Sequence, residues 1–172
     1  MDSSELDTEL DDFHIEKGGD EGVARVTLDS GKANPLSTKT LNELFEAAVA
    51  VNEDDGVRCV VLTGSGSFYC SGFDLGKLEG GPEDGATLRT AVSTFHDAVM
   101  QLHQADKPVV TGVNGIAAGG GFGLALLGDV MVMSGDARLE YAYSRIGLTG
   151  DGGSTFFLPR LVGLRRATEI AL

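Results

Sequence analysis

The chain has 172 residues, 42% of them hydrophobic and 6% aromatic, which is enough for one globular domain with a real core. Its net charge of −13, from 26 acidic against 13 basic residues, opposes binding to nucleic acid or to anionic membrane surfaces, since both need basic patches. Abundant Asp and Glu beside sparse Lys would suit concentrated salt, where screening relieves self-repulsion.

Met1 to Asp12 is acidic and is expected to be a disordered N-terminus, which places the core domain at residues 13–172. It lacks the apolar run of a signal peptide, and no later run approaches membrane-spanning length, so a soluble cytoplasmic protein is expected. Phe13–Lys17 and Val23–Leu28 flank the glycine-rich stretch 18–22 and predict a hairpin, with Ala24, Val26 and Leu28 on one face of its second arm. Residues 29–35 read as a loop. Ser37 or Thr38 then caps a helix carrying Leu41, Leu44, Phe45, Ala48 and Val51 at helical spacing. Cys59–Thr63 is almost wholly apolar, as in a parallel strand covered on both faces. Residues 64–75 read as a glycine- and serine-rich turn and 76–86 as a mobile loop. A helix from about Thr87 to His103 bears Leu88, Val92, Phe95, Val99 and Leu102 on one stripe.

Val109–Val113 predicts a short buried strand, followed by a tight turn at Asn114-Gly115 and by three glycines, Gly119 to Gly121, that open an apolar helix reaching Leu127. Val130–Met133 is expected to be another buried strand and Ala137–Tyr143 a short extended segment. Ile146–Gly153 is a second glycine turn, and Leu164 starts a helix in which the chain stops. Strands alternating with helices make the class α/β, and an end inside an apolar helix reads as a fragment or a shortened protein. Cys59 and Cys70 have no ligand-like neighbours in sequence and read as small buried hydrophobes of a reducing compartment, with no metal site.

Three adjacent glycines forgo about 0.5–1 kcal/mol each relative to alanine, so the segment needs bare backbone close to something else. Tight helix–strand packing is one reason. Presentation of unpaired helix N-terminal N–H groups to a polarised oxygen is the other. Familiar alternatives fail on their residues. After Gly64 and Gly66 the third glycine of a dinucleotide fingerprint is missing, and no Gly-Lys-Ser/Thr occurs. Ser71 would need glycines where Tyr69 and Phe73 stand to be a nucleophile elbow. His14, His96 and His103 lack metal-ligand spacing, and the last two read as edges of a helical stripe. What remains is a pair of donor turns, Cys70–Leu75 and Ala118–Phe122, each following a buried strand. If those strands are neighbours, the N–H groups after them can converge on one carbonyl oxygen.

Ser67-Phe-Tyr-Cys-Ser-Gly-Phe-Asp-Leu75 resembles a motif of the enoyl-CoA hydratase/isomerase (crotonase) superfamily. Lys107-Pro-Val-Val, continuing through Gly115-Ile-Ala-Ala-Gly-Gly-Gly121, resembles its second motif. Gly147-Leu-Thr-Gly-Asp-Gly-Gly-Ser-Thr with Leu158-Pro-Arg-Leu-Val-Gly163 resembles its third. The resemblance implies a spiral of β-β-α units with two nearly perpendicular sheets, the C-terminal helical part being missing or truncated. It implies that a thioester carbonyl is held by the N–H groups of Phe73 and Gly120. Where hydratases of the family carry two glutamates, this chain has Gly123 and Tyr143. Asp151 stands where several isomerases place a catalytic aspartate and a related dehalogenase its nucleophile; its competing role is to cap the next helix. Glu140 is a candidate second acid, with an exposed strand-end residue as the alternative.

The resemblance further implies contacts to coenzyme A from Lys32, Ala33, Ser71, Gly72, Asp74 and Leu75, although Lys32 also reads as a solvated lysine and Asp74 as the anchor of its own turn. No permanently bound cofactor is expected, with coenzyme A entering as part of the thioester substrate. A homotrimer or dimer of trimers is expected if C-terminal helices are present. The reaction implied first is that of an enoyl-CoA isomerase. Its rivals are a hydratase and a truncated, non-catalytic acyl-CoA-binding or assembly protein.

Overall fold

The computed structural model describes residues 10–18, 21–78, 80–81 and 83–172; residues 1–9, most of the segment expected to be disordered, lie outside the described residues, as do 79 and 82 of the expected mobile loop. The hairpin forms as the alternation predicts: β1 (Phe13–Gly18) and β2 (Val23–Leu28) pair antiparallel, and Ala24, Val26 and Leu28 are buried. Asp12, just before it, is anchored: its N–H donates to Glu43, its carboxylate accepts from the Thr40 hydroxyl, and its carbonyl accepts from Asp29.

From β2 onward the chain repeats a β-β-α unit, with one additional short strand in the second. β3 (Pro35–Leu36) and α1 (Thr38–Glu53) complete the first, while β4 (Cys59–Gly64), β5 (Phe68–Cys70), β6 (Gly72–Phe73) and α2 (Asp84–His103) form the second. The third is β7 (Val109–Val113), β8 (Ile116–Ala118) and α3 (Gly120–Leu126). The fourth is β9 (Val130–Met133), β10 (Arg138–Glu140) and α4 (Ser154–Val162), after which comes α5 (Leu164–Ala171). The first strand of each unit joins one sheet in the order β1-β2-β4-β7-β9, parallel apart from the hairpin. The remaining short strands pair among themselves as β10-β8-β5 and β3-β6. Each turn of the spiral thus places a new short strand, and the loop after it, beside those of the previous turn.

Ser37 is the cap of α1, accepting the Thr40 N–H at 3.1 Å, and Leu41, Leu44, Ala48 and Val51 point into the core as spaced. Four expectations change. The stretch 64–75 is not simply a turn, because β5 and β6 find partners in β8 and β3. α2 starts at Asp84, three residues before Thr87. β4 is covered completely on one face, by Val60 and Leu62, and only half-covered at Cys59, Val61 and Thr63. Finally, β9 is not buried: Val130 is 55% and Val132 60% exposed, because β9 is the edge of the large sheet and apolar composition does not say whether anything packs upon it.

Candidate active site

Two glycine turns meet at the centre of the spiral. Gly72 sits at φ +89°, and a Cβ there would lie 2.8 Å from the Ala118 carbonyl oxygen and 3.0 Å from the Gly120 nitrogen. A Cβ on Gly121 would lie 2.1 Å from the carbonyl oxygen of Cys70. The need for bare backbone inferred from the glycine triplet is therefore met by close approach of one donor turn to the other. Gly120 is the first residue of α3, where no intrahelical carbonyl reaches the N–H.

The loop 29–34 locks the first turn in place. Asn34 is fully buried at φ +49°, and its Nδ2 donates to the carbonyls of Ser65 at 3.0 Å and Phe68 at 2.9 Å. The Ser71 N–H donates to Ala33 and the Asp74 N–H to Leu36, both at 3.0 Å. Nothing in the sequence reading singled out Asn34, although an asparagine before Pro35 in a glycine loop is a residue type that tolerates positive φ.

Phe73, Gly120 and Asp151 line a single cavity of about 280 Å³. Ser71, Gly72 and Leu75 are also on its wall, while Leu41, Leu88, Val92 and Phe95 supply much of its apolar lining. Ala33 and Asp74 are not on the wall but are tied to it by the backbone bonds above, and Lys32 is exposed on the loop outside it. Glu140 is not on the wall; its carboxylate lies 3.2 Å from Arg145. Cys70, buried beneath the turn, has a thiol pushed up to about 12 by that burial, against a Gly72 N–H that pulls it down, so it is an inert core group.

Asp151 is gripped from two sides. The hydroxyl of buried Tyr143 donates to its Oδ1 at 2.5 Å, and the next peptide N–H, that of Gly152, donates to Nε2 of His96 at 3.1 Å. Burial raises the Asp151 carboxyl above its ordinary value, against the Tyr143 hydroxyl and then the His96 ring, which pull it down. Burial first, then the neighbouring carboxylate, holds the Tyr143 phenol well above its ordinary value, so the shared proton stays on the tyrosine. His96, read in sequence as a stripe edge, thus belongs to the surroundings of Asp151. Its spacing of 55 residues offered no signal for this.

A sequence profile described as enoyl-CoA hydratase/isomerase matches residues 18–172. The chain belongs to this family. It is 37% identical over 161 residues to 4-chlorobenzoyl coenzyme A dehalogenase-2 of Arthrobacter sp, covering 92% of this chain and 58% of that protein. It is 38% identical over 162 residues to 1,2-epoxyphenylacetyl-CoA isomerase of Escherichia coli K12, covering 92% and 60%. The crystal structure of enoyl-CoA hydratase from Bacillus anthracis superposes with a TM-score of 0.85 at 32% identity, covering 94% of this chain and 62% of that one. The chain therefore spans about three-fifths of the length of these relatives, and its spiral is the crotonase fold.

Within this enoyl-CoA hydratase/isomerase chain, Gly123 is packed against the Asp151 turn. A Cβ there would lie 2.4 Å from the carbonyl oxygen of Gly152. The place where family hydratases were expected to carry their first glutamate is occupied by the backbone that bears Asp151, and the second place holds Tyr143, its hydrogen-bond partner.

Proposed function

We propose that this chain carries the acyl-binding site of an enoyl-CoA isomerase. Its substrate is an acyl-CoA thioester whose carbonyl oxygen is held by the Phe73 and Gly120 main-chain N–H groups, with Asp151 as the base. The observation that carries this reading is the presence of those three residues on one largely apolar cavity. In the proposed step, Asp151 takes a proton from the α or γ carbon and negative charge moves to the thioester oxygen. The two N–H groups stabilise that charge, and Asp151 returns the proton at the other carbon. No atom is added or lost and no permanent cofactor is required. Loss of one such donor lowers a rate by about 10²–10³. A carboxylate raised by burial is a stronger base at neutral pH. Lys32 and Ala33 are proposed to face the nucleotide end of coenzyme A, and Ser71, Gly72, Asp74 and Leu75 its thioester end.

Hydration is disfavoured because Gly123 has no room for a side chain and Tyr143 replaces the second carboxylate. A second reading, halide displacement with Asp151 as nucleophile, is favoured by the likeness to the Arthrobacter dehalogenase. If C-terminal helices are present, we propose a homotrimer or dimer of trimers; a chain that binds acyl-CoA without turnover is the non-catalytic alternative. The test is a panel of enoyl-, phenylacetyl- and chlorobenzoyl-CoA thioesters in deuterated water, followed for exchange at the α carbon, double-bond shift, hydration and halide release. Exchange with a double-bond shift, lost in Asp151→Ala while thioester binding persists, is the expected result. Net hydration, or no binding of any thioester, would overturn it.

A further inference from the structure

Tyr143 has no part in the proton transfer above, yet it is the most closely engaged side chain at the site. Its ring is 5% exposed and packs against Tyr141 with centroids 5.1 Å apart; Tyr141 in turn meets Phe122 of α3 edge-on at 5.6 Å. The phenol is therefore held by an aromatic stack, and its hydroxyl reaches Asp151 Oδ1 at 2.5 Å across the cavity wall that both residues share. A buried hydroxyl needs a partner, but a backbone carbonyl would satisfy it equally. Among the described residues no Lys or Arg forms an ion pair with that carboxylate, so the donor acts on the charge itself.

We propose that Tyr143 is a positioning residue that keeps Asp151 in the carboxylate form and fixes its orientation toward the bound acyl group, so that a partly buried carboxyl is ready to accept a proton. Burial alone favours the neutral acid, which cannot act as a base. The donated hydrogen bond from Tyr143 offsets part of that tendency while leaving the group more basic than an exposed aspartate. The other groups facing Asp151 are His96 on α2, held at the Gly152 N–H, and Tyr141 behind Tyr143; Glu140 is engaged by Arg145. This assignment rests on Asp151 being the base only in its consequence for turnover. The hydrogen bond and its effect on the carboxyl can be measured without any reaction.

The experiment is carbon-13 NMR of the chain labelled at aspartate carboxyls, with the Asp151 signal identified by its absence in Asp151→Asn. Its midpoint is titrated in the parent chain, in Tyr143→Phe, and in a chain with 3-fluorotyrosine in place of Tyr143, a stronger donor of the same shape that does not depend on tolerance of the phenylalanine. The midpoint is expected to rise by about one pH unit in Tyr143→Phe and to fall with fluorotyrosine. The acid limb of α-proton exchange should move with it in each case. An Asp151 midpoint unchanged in both variants overturns the assignment. A midpoint that moves while exchange does not, or while Asp151→Asn stays active, keeps the assignment and sinks the reading of Asp151 as base.

Discussion

At the scale of single residues, Asp151 carries a charge where the fold disfavours one, and this has a measurable consequence apart from the proposed proton transfer. Its carboxyl is raised in the folded chain above the ordinary 3.8, so the native state binds that proton more tightly than the unfolded state does. The stability it contributes is fully present below the unfolded value and is lost as pH climbs through the folded one. At neutral pH the ionised group therefore weakens the fold. Asp151→Asn keeps an acceptor for Tyr143 without the charge, so it should melt at a higher temperature than the parent at about pH 7. The gap should close as pH is lowered toward 3.8 and below, and thermal unfolding of both proteins across that range checks it. His96 offers a second case: His96→Phe removes the acceptor of the Gly152 N–H, and loss of one such bond costs roughly 0.5–1.5 kcal/mol in urea unfolding.

At the scale of elements, the site is a junction of two glycine turns, and its tolerances follow from backbone distances. Gly72→Ala puts a methyl 2.8 Å from the Ala118 oxygen at a φ of +89°, so it should cost about 1–3 kcal/mol and weaken thioester binding by separating the turns. Gly123→Glu, the substitution that would restore a hydratase carboxylate, should not create hydration. Its side chain must displace Asp151–Gly152, and exchange activity should fall with stability. The long elements were legible because periodicity and caps are local: the hairpin alternates, Ser37 precedes an apolar period, and Val109–Val113 leads into the glycines. The short strands β5, β6 and β8 were not legible, since two or three residues carry no period and exist only through pairing with distant segments. β9 was misread for a related reason, because Val130–Met133 records apolarity and not what covers it. The two glycine turns and Asp151 stand out in sequence as motifs, and the fold brings them to one cavity. The grip of Tyr143 and His96 on Asp151 was not legible, because it crosses a short helical turn in one case and the packing of α2 in the other.

At the scale of the whole molecule, charge is the dominant unbalanced quantity. Of 26 carboxylates, pairing every one of the 13 Lys and Arg with a different partner leaves 26 − 13 = 13 without a cation. The ion pairs that do form are mostly exposed, as with Lys39 and Asp11, so salt removes little by weakening them. Repulsion among the remaining carboxylates is spread over the surface and acts through solvent, where the screening length falls from about 30 Å at 0.01 M to about 10 Å at 0.1 M and about 3 Å at 1 M. Added potassium chloride should therefore stabilise this chain, with most of the gain in melting temperature reached by a few tenths molar, once the screening length is shorter than the spacing of the unpaired charges. The exposed apolar face of β9, which includes Val130 and Val132, responds differently, because salt strengthens apolar burial progressively up to high concentration. Melting curves at several protein concentrations separate the two effects. A gain that saturates early and is independent of protein concentration comes from carboxylate repulsion. A gain that keeps growing and depends on protein concentration comes from association through that face, and would show that charge is not what limits the stability of the isolated chain.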